Sequence, residues 1–214
     1  MRTANYHFNI ASSVASVFSS PTRLKIIYIL AQAPRSVEVI SKMTGETIAN
    51  TSQHLQKLLR EGFVISHKEK LSKIYRLKDE LISLILEELF DLAEKIKENS
   101  ENEAAPILNV NAKPISLLSI VEDIQNNKAI ILDIRDEYET SQTPVLNAIS
   151  LPLETLAEKA KTLKKSKTYY VFCRGRACEH ASKGVHILQT AGLKAFRLKE
   201  SPTSIRHIIN TYTP

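Results

Sequence analysis

The sequence predicts a two-domain α+β chain, with an N-terminal unit of short helices closed by a β-hairpin and a C-terminal α/β unit with a mainly parallel sheet. Three observations carry this. The chain has 214 residues, comfortable for two domains of roughly 100 each. In its first half, two short helical patterns meet at a glycine turn and run into a pair of alternating segments. Beyond a polar stretch, apolar extended segments alternate with helical ones, the signature of a parallel sheet covered on both faces. Both cysteines fall there, in one loop between a strand pattern and a helix pattern.

In chain order, residues 8–18 place Ile10, Val14, Val17 and Phe18 at helical spacing. Ser20-Pro21-Thr22 interrupts, with Pro21 suited to the first turn of a new helix. Leu24, Ile26, Ile27, Ile29 and Leu30 make that helix strongly apolar, and Pro34 ends it. Ser36 can cap a short helix over 37–43. Thr44-Gly45-Glu46 turns into a further helix over 47–60, buried through Ile48, Leu55, Leu58 and Leu59 and stopped at Gly62. Two short helices joined by a glycine turn form a helix-turn-helix arrangement. The second exposes Asn50, Thr51, Ser52, Gln53, His54, Gln56 and Lys57, side chains of the kind that reach base edges and phosphates. Residues 63–68 and 73–78 alternate on either side of Glu69-Lys70-Leu71-Ser72, giving a hairpin with Lys68, Lys70 and Lys73 at its tip and flanks. Between Thr51 and Lys78 the only acidic residues are Glu61 and Glu69, so positive charge collects where a duplex would lie.

Composition agrees. Net charge is +6 and the sequence pI is about 9.2, which suits a nucleic-acid partner. No apolar run approaches the ~20 residues of a membrane span, and the first residues lack the apolar core of a signal peptide. Two cysteines in one loop are not the disulfide framework of a secreted protein. A cytoplasmic location with no membrane partner is expected.

Ser20-Pro21-Thr22-Arg23-Leu24-Lys25-Ile26-Ile27, then Ser52-Gln53-His54-Leu55-Gln56-Lys57-Leu58 and Gly62-Phe63-Val64, resembles the ArsR family of winged-helix repressors. The resemblance implies a homodimer on a double-stranded DNA operator, with the recognition helix in the major groove. It carries DNA contact onto Thr51, Ser52, Gln53, His54 and Lys57. Many such proteins sense metal through cysteines in the preceding helix, but here that helix reads Ser36-Val37-Glu38-Val39-Ile40-Ser41-Lys42. A second metal site of the family uses histidines on its last helix, and residues 79–99 contain none. Thiolates and imidazoles are what soft metals and zinc require, so neither metal nor cofactor is expected.

Residues 81–96 carry Leu81, Leu84, Ile85, Leu89, Leu92 and Ile96 on one broad stripe. A small winged unit cannot bury so wide a stripe alone, which points to a dimerisation helix. The polar run from Glu98 to Ala105, followed by Pro106, reads as a linker. The expected division is 1–99 for the DNA-binding and dimerisation domain, 100–113 for the linker and 114–214 for the α/β domain.

In the second domain, residues 119–125 suggest a short helix and 129–134 a continuous apolar strand ending in Asp133-Ile134-Arg135. A second extended segment covers 147–153, a helix 154–164, a strand 169–172, a helix from Glu179 stopped at Gly192, and a last strand 193–198. Reactive groups of such sheets sit beyond the carboxyl ends of the strands, where Arg135 and Cys173 fall. Cys173-Arg174-Gly175-Arg176-Ala177-Cys178 lies before a helix N-terminus and holds two arginines. Helix ends and cations favour the thiolate, so Cys173 is expected to be the nucleophile.

Leu132-Asp133-Ile134-Arg135 with Glu137-Tyr138-Glu139, Ala148-Ile149-Ser150-Leu151-Pro152-Leu153, Phe172-Cys173-Arg174-Gly175 and the 192–198 segment together resemble a rhodanese domain. The resemblance implies a persulfide on Cys173 and a small sulfur donor or acceptor as partner. Arg174 and the loop N–H groups would then hold an anionic donor, with Arg176 adding charge, and Asp133 and Arg135 would brace the site. Related arsenate reductases and phosphatases use a longer loop with arginine six positions after the cysteine. Glu179 stands there, which favours sulfur over oxyanion chemistry. Thr143-Pro144-Val145-Leu146-Asn147 and Lys199-Glu200-Ser201-Pro202 replace glycine-bearing segments of the family, which puts efficient turnover in doubt. Cys178 either resolves a persulfide on Cys173, giving a disulfide, or fills the start of the helix. The combined expectation is a regulator, repressing as the resemblance implies, that senses or carries sulfane sulfur or redox state at Cys173. The alternative is a sulfurtransferase enzyme with the winged helix as its targeting domain.

Overall fold

The computed structural model describes residues 2–98 and 114–212, so the linker expected at 100–113 lies outside the described residues. The chain divides into two compact units, 1–95 and 96–214.

The first unit opens with α1 (Arg2–Val17) and α2 (Pro21–Leu30). Ser20 caps α2 by accepting from the Arg23 N–H at 3.4 Å, with Pro21 in its first turn. A two-residue strand β1 (Arg35–Ser36) leads into α3 (Val37–Thr44); Ser36 holds the cap position without a capping bond. Gly45, at φ +76°, ends α3 in the left-handed conformation that glycine adopts without strain. Next come α4 (Ile48–Arg60), the hairpin strands β2 (Val64–Glu69) and β3 (Ser72–Leu77), and α5 (Leu81–Glu98). β3 lies between β1 and β2, both antiparallel to it. The core gathers Ile26, Ile27, Ile40, Leu55, Leu58, Phe63, Tyr75 and Leu86.

The Glu46 side chain ties the turn between α3 and α4 to α2 and to α4. Glu46 accepts from Thr22 Oγ1 at 3.1 Å on α2 and from Asn50 Nδ2 at 2.7 Å on α4. These bonds lower its pKa, that from Asn50 most, and fix the angle between the two helices.

The second unit begins with a 3₁₀ turn (Leu117–Ile120) and α6 (Val121–Gln125). It continues through β4 (Ala129–Asp133), α7 (Glu137–Gln142), β5 (Ala148–Ser150) and α8 (Leu153–Lys159). β6 (Thr168–Phe172), α9 (His180–Thr190), β7 (Lys194–Arg197) and α10 (Pro202–Tyr212) complete it. The sheet order is β5-β4-β6-β7, all parallel. Strand alternation sends Leu132, Tyr169 and Val171 into a core with Leu156, Ala181, Val185 and Leu188. On the opposite face, Ile131, Tyr170 and Phe172 join Leu117, Leu198 and Ile205. Among the described residues no helix is long and apolar enough to cross a membrane.

Candidate functional site

The residues expected to face nucleic acid separate into two groups. Gln53 is exposed, Ser52, His54 and Lys57 are partly exposed, and Lys68, Lys70 and Lys73 are exposed on the hairpin. Lys57 Nζ lies 2.6 Å from Glu61 Oε1, and Lys73 Nζ sits 5.3 Å from the centre of the Tyr75 ring. Thr51 departs from expectation: it is fully buried, and its hydroxyl has no hydrogen-bond partner. Thr51, Leu55 and Leu58 recur at the i, i+4, i+7 spacing of one helical face, and that face is turned to the core. Thr51 therefore packs α4 and cannot meet a base edge. Asn50, which also reads as exposed, is half-buried and engaged by Glu46.

In the second unit the six residues singled out as catalytic do not form one cluster. Asp133 and Arg135 are each about 1% exposed and paired with each other. Arg135 Nη2 lies 2.7 Å from Asp133 Oδ2, and its Nε 3.0 Å from Oδ1. Arg135 also donates to the Thr143 carbonyl and hydroxyl, both at 2.8 Å, and its guanidinium lies 5.8 Å from the Phe172 ring centre. The pair thus belongs to the Phe172 side of the sheet. Cys173 and Cys178 belong to the core on the other side.

The loop after β6 is closed by a turn at Gly175, whose φ of +110° a residue with a Cβ rarely adopts. The Cys178 N–H donates to the Gly175 carbonyl at 3.2 Å, folding the chain back so that the two sulfurs lie 3.3 Å apart. Both are buried, Cys173 at 2% and Cys178 at 8% exposure. Arg174 points to α7 rather than to the thiols. Its Nε lies 2.8 Å from both carboxylate oxygens of the fully buried Glu139, and its Nη2 3.3 Å from Asp136 Oδ2. Burial pulls the Arg174 pKa down, but the bond and charge of Glu139 raise it further, so the guanidinium stays cationic. Arg174 is therefore a brace between loop and α7, its charge already met by two carboxylates. Arg176 is half-exposed, and its carbonyl accepts from Arg197 Nη2 at 3.0 Å.

Arg197 was not legible as a site residue. From β7 it donates to the carbonyls of Gly175 and Arg176 and to Ser182 Oγ at 3.2 Å, tying the loop to the first turn of α9. No local signal marks it, because its partners lie on other elements. Glu139 was visible only as part of an acidic motif. His180 opens α9, and one of its ring nitrogens lies with both sulfurs in a group whose ligand atoms are all within 4.8 Å of one another.

The electrostatics reverse the order expected of the two thiols. Hydrogen bonding from Cys173 chiefly, then the N–H groups of His180 and Arg174, hold Cys178 down to about 5 against the opposing effect of burial. The same contact, with burial, pushes Cys173 up. Position adds to this contact: Cys178 stands nearer the start of α9, where the His180 N–H reaches its sulfur. The contact between the sulfurs thus favours the thiolate at Cys178 and the protonated thiol at Cys173. At pH 6 a small alkylating reagent is expected to label Cys178 before Cys173. The rate should fall about tenfold per pH unit below the Cys178 pKa, because only the thiolate attacks. Peptide mapping after brief labelling checks this; first labelling at Cys173 would reverse the assignment.

Comparison with known proteins follows the same division. Residues 20–66 match the bacterial regulatory protein family named for arsR, and residues 117–204 match the rhodanese-like domain. The HTH-type transcriptional regulator Rv0324 of Mycobacterium tuberculosis (strain H37Rv) is 26% identical over 189 residues, which cover 87% of this chain and 83% of that protein. The HTH-type transcriptional regulator YgaV of Escherichia coli K12 is 30% identical over 77 residues, 36% of this chain and 78% of YgaV. Among solved structures, the homodimeric winged helix-turn-helix DNA-binding domain Mb0332 of Mycobacterium bovis is 25% identical. It covers 47% of this chain and 94% of that domain, at a TM-score of 0.41.

Proposed function

Since the chain belongs to the arsR family of bacterial regulatory proteins and joins that domain to a rhodanese-like one, we propose that it is a DNA-binding repressor whose operator affinity is set by the sulfur state of Cys173 and Cys178. The observation that carries this reading is the 3.3 Å contact between the two sulfurs at the start of α9. One thiol of the pair is poised as a nucleophile and the other lies within reach to resolve what it picks up.

The chemistry balances without a further reagent. The Cys178 thiolate attacks the sulfane sulfur of a persulfide or polysulfide, and the donor thiolate leaves. Cys173 then gives up its proton and attacks the Cys178 sulfur, forming the disulfide and expelling hydrosulfide. The two thiols are oxidised and the sulfane sulfur is reduced by the same two electrons. With loading at Cys178, the order is the reverse of the one expected from sequence, but the end state is the same disulfide. Arg174, Arg197 and the Gly175 turn are positioning residues that hold the loop.

On the DNA side, Ser52, Gln53, His54 and Lys57 would enter the major groove, and Lys68, Lys70 and Lys73 would meet the backbone. Two copies would pair through α1 and α5, which leave Tyr6, Phe8, Leu81 and Leu92 more than half exposed, matching a two-fold operator. The depth of both sulfurs disfavours steady turnover on bulky acceptors, so a sensor accounts for the site better than a sulfurtransferase does.

The test is affinity for the protein's own upstream DNA, reduced against polysulfide-treated, at one fixed salt concentration because phosphate contacts depend steeply on salt. A loss of affinity of tenfold or more, about 1.4 kcal/mol of coupling, is expected. It should vanish in Cys173→Ser and in Cys178→Ser. Equal binding in both states would sink the sensor reading.

A further inference from the structure

Cys173, Cys178 and His180 form a group that sulfur transfer does not require in full. Sulfur loading and resolution need two thiols; they have no use for an imidazole converging on both. Yet the ligand atoms of all three residues lie within 4.8 Å of one another. We propose that the loop is a binding site for a thiophilic d¹⁰ cation of the zinc class, held by the sulfurs of Cys173 and Cys178 and a ring nitrogen of His180. This goes beyond the sulfur-sensing reading and does not depend on it.

The donor set fits that class and excludes harder ions. Two sulfurs and one nitrogen, with no carboxylate among them, favour borderline and soft cations over magnesium or calcium. Charge fits as well. Arg174 is a cation of the same loop, but Glu139 and Asp136 accept its hydrogen bonds. Two thiolates are then left to balance a divalent ion. Both cysteines belong to a buried core that also holds Ile134, Leu151, Leu156 and Ala181, an apolar setting that disfavours hydrated hard ions.

Geometry asks for a small adjustment. Metal–sulfur bonds of about 2.3 Å at a tetrahedral angle put two sulfurs about 3.8 Å apart. The sulfurs here stand 3.3 Å apart, so each side chain would shift by a few tenths of an ångström. His180 is only half-buried, which leaves the fourth position on the solvent side for water or a small thiol. Three protein ligands and one open position are the arrangement of a labile site rather than a closed structural one. Ligation requires both sulfurs as thiolates, so binding strengthens as pH rises. An ion held there withholds both sulfurs from a sulfane donor.

The experiment uses the full chain, reduced and stripped of metal, titrated with cadmium(II), whose thiolate charge-transfer absorption reports sulfur ligation. The band is expected to saturate at one equivalent, to be displaced by zinc(II), and to persist in a hundredfold excess of magnesium(II). It should disappear in Cys173→Ser and Cys178→Ser. His180→Gln, which keeps size and polarity at a half-exposed position, should weaken binding at least tenfold while the far-ultraviolet circular dichroism stays unchanged. Absence of the band with both thiols titrating as free would overturn the proposal, as would equal affinity in His180→Gln. Polysulfide loading, measured on the same metal-free sample by mass, separates the two readings. Loading without cadmium ligation removes the metal site alone, and cadmium ligation without loading removes the sulfur sensor alone.

Discussion

Asp133→Ala is expected to destabilise the C-terminal unit by about 3–5 kcal/mol and to lower its melting temperature by at least about 10 °C. Arg135 is 1% exposed, and its guanidinium donates to both carboxylate oxygens of Asp133. Deleting the carboxylate strips a buried guanidinium of these charge-assisted bonds, while the carbonyl and hydroxyl of Thr143 that it also meets carry no charge. The Arg135 N–H also loses its bond to Asp133 Oδ1 at 3.1 Å, so the chain leaving β4 loosens. A double replacement, Asp133→Leu with Arg135→Met, should recover most of the loss, because removing both charges removes the uncompensated one. Thermal unfolding followed by circular dichroism compares the three proteins. A single-mutant loss under about 1 kcal/mol would mean that water or another group reaches Arg135.

The second large effect is on assembly. Phe8→Glu combined with Leu92→Glu is expected to convert the protein to a monomer and to weaken operator binding by at least about a hundredfold. Phe8 on α1 is 74% exposed and Leu92 on α5 is 54% exposed. Such apolar side chains on helices that close a small unit mark a contact surface. In a two-fold interface each substitution occurs twice, so four carboxylates would have to be desolvated together. A monomer meets one half-site only, which removes most of the affinity. Light scattering and an operator titration check the two halves. A dimer that persists would move the interface to another face.

The helix-turn-helix, the hairpin and the alternating α/β pattern were legible because each rests on local rules. Ser20-Pro21, Gly45 and Gly62 punctuate helices wherever they occur, and the apolar periods follow from helix and strand geometry. α1 begins well before the residue at which its periodicity is readable, because Tyr6 and Phe8 face outward and break the expected burial pattern. β1 is two residues long and exists only because β3 lies beside it. α10 repeats the Ser-Pro start signal at Ser201-Pro202, with Ser201 Oγ accepting from the Ser204 N–H.

What the sequence by itself determined is which residues carry chemistry and which elements carry them: both cysteines in one strand-to-helix loop, a basic recognition helix and hairpin, and Asp133 and Arg135 at the end of a central strand. The tertiary structure decided how those residues are partnered. Thr51 turned inward because the face of α4 is chosen by the core it packs on. Arg174 was drawn to Glu139, and Arg197 to the loop carbonyls, by contacts across elements. The two thiols were ranked chiefly by their contact with each other, and then by the N–H groups around Cys178. Local rules set an element and its period, but burial, charge partners and proton affinity depend on distances between segments that are remote in the chain.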